Sequence, residues 1–180
     1  GGAMRTLFLI FMFVFTNVAY VFGQTETEHF VYYKGDISVT VSLKGKDRID
    51  TLFPKMDVRL EGQGVAWIVN ARVKPFQELI DEGVFSKDRM QELEKADDSL
   101  SIYIFFDETG VIFDIYFSMP IVKKPLLTDK ELYSIYQKYL GTVVDLSNVV
   151  AWDDNSLTPK KRKAFWAFDF FDIPFKDLKY

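Results

Sequence analysis

Apolar and polar positions alternate most regularly between residues 100 and 119. Leu100, Ile102, Ile104 and Phe106 alternate with Ser101, Tyr103 and Phe105. After Asp107-Glu108-Thr109-Gly110 the pattern resumes, Val111, Phe113, Ile115, Phe117 and Met119 alternating with Ile112, Asp114, Tyr116 and Ser118. Period-two patterning on both sides of a polar segment ending in Gly predicts a β-hairpin, with the Gly in the positive-φ position of a bulged turn. Large apolar groups on both faces place this hairpin centrally, under helices on at least one face.

Upstream, residues 30–33 and 37–43 predict two strands around Lys34-Gly35-Asp36, and the charged stretch Lys44 to Asp50 a loop. Residues 57–61 and 65–74 read as a second hairpin across Gly62-Gln63-Gly64, because Val65, Trp67, Val69, Ala71 and Val73 alternate. Trp67 then belongs to the core, with ligand stacking as the alternative. Pro75 suits a first helical position; Phe76, Leu79 and Ile80 follow at helical spacing and Gly83 ends the piece. Ser86 caps a second helix through Leu93, with Asp88 near its positive end. Thr128 with Glu131 forms a capping box, and Leu127 with Leu132 a hydrophobic staple. The helix so begun turns Leu132, Ile135, Tyr136 and Tyr139 to one side, expected to lie on the hairpin, and stops at Gly141. Residues 143–150 read as a strand or tucked loop, 153–159 as a polar turn, and 164–171 as the last strand. The fold class expected is α+β, antiparallel sheets with helices packed on one side, a β-rich N-terminal part preceding α-β-β-α-β. Residues 24–180 form a single domain, divisible into lobes 24–74 and 75–180.

Composition adds the compartment. Hydrophobic residues make up 48% and charged residues 27% of 180 residues, a globular balance. A net charge of −4 argues against a general nucleic-acid binder. The absence of Cys excludes disulfides, thiolate metal sites and a cysteine nucleophile. Gly1-Gly2-Ala3 before Met4 reads as a cloning remnant, Arg5 as a positive start, and Leu7 to Gly23 as an apolar segment with a cleavage position before Gln24. This is the pattern of a secretory signal peptide, an uncleaved anchor being the competing reading. Its Gly-Gln-Thr-Glu ending resembles the leaders of small exported Bacteroidetes proteins of unassigned role. The mature chain is expected in the periplasm or outside the cell, with no membrane span after cleavage.

From Pro75 the order helix, hairpin, helix, strand resembles the C-terminal domain of the TonB family. The likeness rests on the Asp107–Gly110 turn, the helix capped at Thr128 and the late strand. It covers about half the chain, and it lacks the Pro-rich spacer and uncleaved membrane helix of that family. It implies topology, and a strand edge able to receive a peptide.

No catalytic constellation emerges. His29 is the one histidine and reads as a surface or strand-start residue rather than part of a Ser-His-Asp relay. A metal site on one His and no Cys needs converging carboxylates, and no spacing suggests them; Asp153-Asp154-Asn155 lacks the pattern of a calcium loop and reads as a solvated turn. No cofactor is expected. Asp107 and Glu108 lie beside predicted strands, while Asp114 and Asp169 are charges inside apolar strands, read as outward-facing. Lys160, Lys161, Arg162 and Lys163 read as a solvated turn, with acidic lipid or polysaccharide contact as the alternative. Five aromatics occur within residues 165–171, and strand geometry puts Trp166, Phe168 and Phe170 on one face and Phe165 and Phe171 on the other. Covered, they are core; open, they are a binding surface. The function expected is a non-enzymatic interaction module of the envelope, binding a protein or peptide through a strand edge or this patch. Alternatives are a carboxylate-dependent hydrolase of envelope sugar or peptide and a carrier of an apolar ligand.

Overall fold

A computed structural model describes residues 24–46, 58–62, 66–121, 125–153 and 157–180, and of residues 66–71 the backbone alone. The leader therefore lies outside the described residues, as do most of the 44–50 loop, Asp154, Asn155 and the side chain of Trp67.

The 100–119 pattern folds as predicted. Strands β5 (Ser99–Asp107) and β6 (Ile112–Pro120) pair antiparallel, Ile102 opposite Phe117 and Ile104 opposite Ile115. The register shifts between Phe105 and Phe106, so Ile112 joins the buried row opposite Phe106. Gly110 takes φ 81° at the turn, and its N–H donates to Asp107 O at 2.9 Å. Both strands are interior in a six-stranded sheet of order β1-β2-β3-β6-β5-β9. The others are β1 (Gln24–Glu26), β2 (Phe30–Lys34), β3 (Ser38–Leu43) and β9 (Trp166–Pro174), and every pairing is antiparallel.

The helices of the described residues pack on one face of this sheet. They are α1 (Ala66–Asp81), α2 (Lys87–Lys95) and α3 (Asp129–Leu140). Phe76, Leu79 and Ile80 of α1, Met90 and Leu93 of α2, and Leu132, Ile135, Tyr136 and Tyr139 of α3 join Phe30, Val41, Ile102, Ile104, Phe117, Phe171 and Ile173 in one core. Antiparallel sheets and one helical layer make an α+β fold, without a barrel. The caps are those expected. Ser86 Oγ accepts from Arg89 N–H at 3.2 Å. Thr128 Oγ1 accepts from Glu131 N–H at 3.3 Å while Glu131 Oε2 accepts from Thr128 N–H at 2.8 Å. Arg89 then grips Glu131 through two nitrogens, at 2.7 and 3.0 Å, tying α2 to the start of α3.

Three expectations are corrected. Residues 66–74 are helical, within α1, and form no strand. Their alternation is real, but Val69, Val73, Phe76 and Ile80 also recur at helical spacing, and that period continues into the buried face. Pro75 accordingly sits inside α1. It removes a backbone donor there, and the hydroxyl of Tyr139 donates to the Arg72 carbonyl in the weakened turn. The partner of β4 (Val58–Gly62) is not 65–74 but β7 (Val149–Asp153), in a second antiparallel sheet of order β4-β7-β8. Lys161–Arg162 form β8, opposite Trp152 and Ala151, so the middle of the basic run is strand rather than turn.

Candidate functional site

Sheet register settles which aromatic side chains share a surface. Away from the helices, one cross-strand row runs Val31, Ser42, Tyr116, Tyr103, Phe170, and the next contains Phe105 and Phe168. A polar row of Tyr33, Thr40, Ser118, Ser101 and Asp172 lies on the other side. This face therefore grades from polar to aromatic, and the aromatic corner is at β9. Phe105 and Tyr116 are fully buried, and exposure grows toward the sheet edge, where Trp166 and Phe168 are half-buried and Phe170 is 44% exposed. The rings support one another: Tyr103 lies 4.4 Å from Phe170 between centroids, and Phe105 lies 6.0 Å from Phe168 and 6.2 Å from Trp166. Along β9 the alternate residues Ala167, Phe171 and Ile173 are buried under the helices, and Phe171 meets Tyr139. Trp166, Phe168 and Phe170 thus do share one face, and it is neither sealed nor open but a half-exposed stripe. Strand β9 is also an edge, with β5 on one side and no strand on the other among the described residues.

The basic run leads into this strand. Lys160, Lys161 and Lys163 are exposed and Arg162 is half-buried. Lys161 Nζ stands 5.7 Å from the centroid of the Trp152 ring, and the Lys160 carbonyl accepts from Asp153 N–H.

Asp114 and Asp169 are not outward-facing solvated charges. Asp169 accepts two hydrogen bonds from Arg72, both at 2.9 Å, on the helix face of β9. Asp114 is buried; its Oδ1 accepts from Ile115 N–H at 2.9 Å and from the Tyr136 hydroxyl at 3.1 Å. Each carboxylate is committed to a different helix, so the two form no acid/base pair. Asp107 accepts from Thr109 N–H at 2.8 Å within its own turn. Burial pushes the Asp114 carboxyl above the usual carboxylate range, against the pull of its hydrogen bonds and of Lys46. The folded protein therefore holds this proton more tightly than the unfolded chain, and Asp114 costs stability as pH rises above about 4. Asp114→Asn keeps an acceptor and removes the charge. Its stability relative to the parent should rise as pH climbs above about 4 and level off once Asp114 is ionised in the folded protein, as read by urea midpoints across a pH series.

His29 departs from the sequence reading. It lies directly before β2, at the start of the strand region as expected, but its ring is held. Nδ1 contacts Asp129 Oδ2, the His29 backbone N–H donates to Asp129 Oδ1 at 3.1 Å, and the ring stacks on Tyr133 with centroids 3.9 Å apart. The Thr27 hydroxyl also donates to Asp129 Oδ1. Burial opposes the Asp129 charge, yet these hydrogen bonds hold its carboxyl below the usual range. Asp129 stands 100 positions from His29, and no local spacing signals the contact.

A pocket of about 110 Å³ lies where β5 begins and β6 ends, with Leu100, Phe117, Met119, Leu127, Leu132 and Phe175 among its walls. Ligand pockets usually run to roughly 300–1,000 Å³, so this one takes a single side chain at most. Among the described residues no helix is long and apolar enough to cross a membrane.

No protein-family model matches the chain, and no curated protein is similar to it in sequence. A crystal structure of a DUF5043 family protein from Bacteroides uniformis is similar in fold, with a TM-score of 0.50 at 10% sequence identity, over 84% of this chain and 89% of that one. At that identity the likeness concerns fold alone. Its source, Bacteroides uniformis, belongs to the Bacteroidetes. The TonB likeness in element order gains no support from this neighbour.

Proposed function

We propose that the protein is a non-enzymatic binding module of the bacterial envelope that takes a protein or peptide partner on the outer corner of β9. One observation carries the reading: an edge strand presents Trp166, Phe168 and Phe170 in a half-exposed row backed by buried Phe105 and Tyr116. Aromatic rings set on a rigid sheet provide large contact area at small entropic cost, which is why they dominate binding hot spots. The outer edge of β9, which pairs with no strand among the described residues, can offer backbone donors and acceptors to an added strand. Exposed Lys160, Lys161 and Lys163, just before β9, favour a partner that carries acidic residues beside its apolar ones. Location in the periplasm or outside the cell rests on the leader pattern of residues 5–23. The hydrolase reading has no support in the geometry of Asp114 and Asp169, and the carrier reading none in the size of the pocket.

Phe170→Glu tests the reading. The side chain is already exposed, so the variant should melt within a few degrees of the parent. It should lose the partner recovered from native envelope extract by the parent. Retention of that partner at full yield would refute the assignment of the surface.

A further inference from the structure

The sequence sets Glu28 beside His29, and the fold adds Asp129 from 100 positions away. Glu28, His29 and Asp129 each offer a ligand atom within 4.8 Å of the other two. We infer that these three residues form a binding site for a divalent transition metal of the zinc type, through a ring nitrogen of His29 and one carboxylate oxygen each of Asp129 and Glu28.

Zinc takes imidazole nitrogen and carboxylate oxygen at about 2.0–2.2 Å, so tetrahedral ligand atoms stand roughly 3.4 Å apart. The cluster comes within a side-chain adjustment of that spacing. Two of the ligands are already positioned. The His29 ring is fixed by stacking on Tyr133, with planes 14° apart. Asp129 uses Oδ1 for the His29 N–H and the Thr27 hydroxyl, which orients Oδ2 toward the ring. A ligating carboxylate held through its other oxygen is the usual support around a metal site. Glu28 is exposed, and its carboxylate oxygen already lies within 4.8 Å of the other two ligand atoms. The fourth position is left to water. When the ion enters, the Nδ1–Asp129 contact opens and any proton shared there passes to solvent. One imidazole and two carboxylates suit zinc and its neighbours; Mg²⁺ and Ca²⁺ prefer six or more oxygens. Asp129 is the first residue of α3, whose N-terminal end disfavours a cation, so the affinity is that of a loadable site rather than a permanent structural one.

Calorimetric titration of tag-free, metal-stripped protein with zinc chloride tests this. One saturable site is expected, with no heat from MgCl₂ at the same concentrations. Glu28→Gln should weaken zinc binding at least about tenfold while leaving the metal-free melting temperature unchanged, because its side chain is exposed. Thr27→Val should weaken it by roughly 10-fold or more through loss of the orienting hydrogen bond. His29→Gln should abolish the site, and with it the visible absorption of a four-coordinate cobalt derivative. No saturable zinc binding, or equal binding by the parent, Glu28→Gln and His29→Gln, would overturn the assignment. Should His29→Gln fail to fold, Glu28→Gln alone decides.

Discussion

Phe117→Ala should lower the unfolding free energy by about 3–5 kcal/mol. Phe117 sits at the middle of β6, fully buried, between Ile102 of β5 and Val41 of β3, and its ring meets the edge of Phe30 at 5.8 Å. Truncation leaves a cavity beneath α3 that strands on both sides prevent from closing. For a chain of this length the loss corresponds to a melting temperature lower by roughly 10 °C or more. Phe117→Leu fills most of the space and should cost visibly less. Equal, small losses for the two variants would show that the hairpin is not the centre of the core. Thermal melts followed by near-ultraviolet circular dichroism read both.

Gly110→Ala should be nearly as damaging, at about 2–5 kcal/mol. Two separate costs fall on one methyl group. Gly110 has φ 81°, a conformation in which a side chain is strained. A Cβ built there would also lie 2.0 Å from the Val144 carbonyl oxygen. That neighbour is backbone, pinned because Val144 N–H donates to Gly110 O at 2.8 Å and Val111 bridges Val143. The turn and the segment after α3 must separate to admit the methyl. Gly45 has a similar φ of 77°, but among the described residues, its chain neighbours aside, no heavy atom lies within 4 Å of the added Cβ. Gly45→Ala therefore isolates the conformational cost, and urea unfolding of the two variants should rank Gly110→Ala well below Gly45→Ala.

What the sequence disclosed was local chemistry. The capping box at Thr128 needs only side chains three residues apart, and the hairpin only a period and a Gly; both could be read directly. The α1 segment could not, because Val65 to Val73 satisfies two periods at once. What decides between them is burial of Phe76 and Ile80 further along, with the Pro75 turn held by Tyr139 from another helix. The pairing of β4 with β7 joins residues about ninety positions apart, as remote as His29 from Asp129. Contacts at such separation leave no mark on neighbouring positions. The β9 aromatics fall between these cases. Alternation assigned Trp166, Phe168 and Phe170 to one face correctly, but coverage of that face depends on which layer the helices choose. The outward reading of Asp169 failed for the same reason, since it faces the helices and finds Arg72 there.

The stripe on β9 is the surface on which the functional account stands. Its most direct test is photo-crosslinking in living cells of the native host, with a benzophenone amino acid in place of Phe170 and, as control, in place of exposed Lys87 on the opposite layer. A discrete adduct from position 170, absent at 87 and lost when Trp166→Ser and Phe168→Ser are added, is the predicted result. No adduct at 170, or the same adducts from both positions, would contradict it.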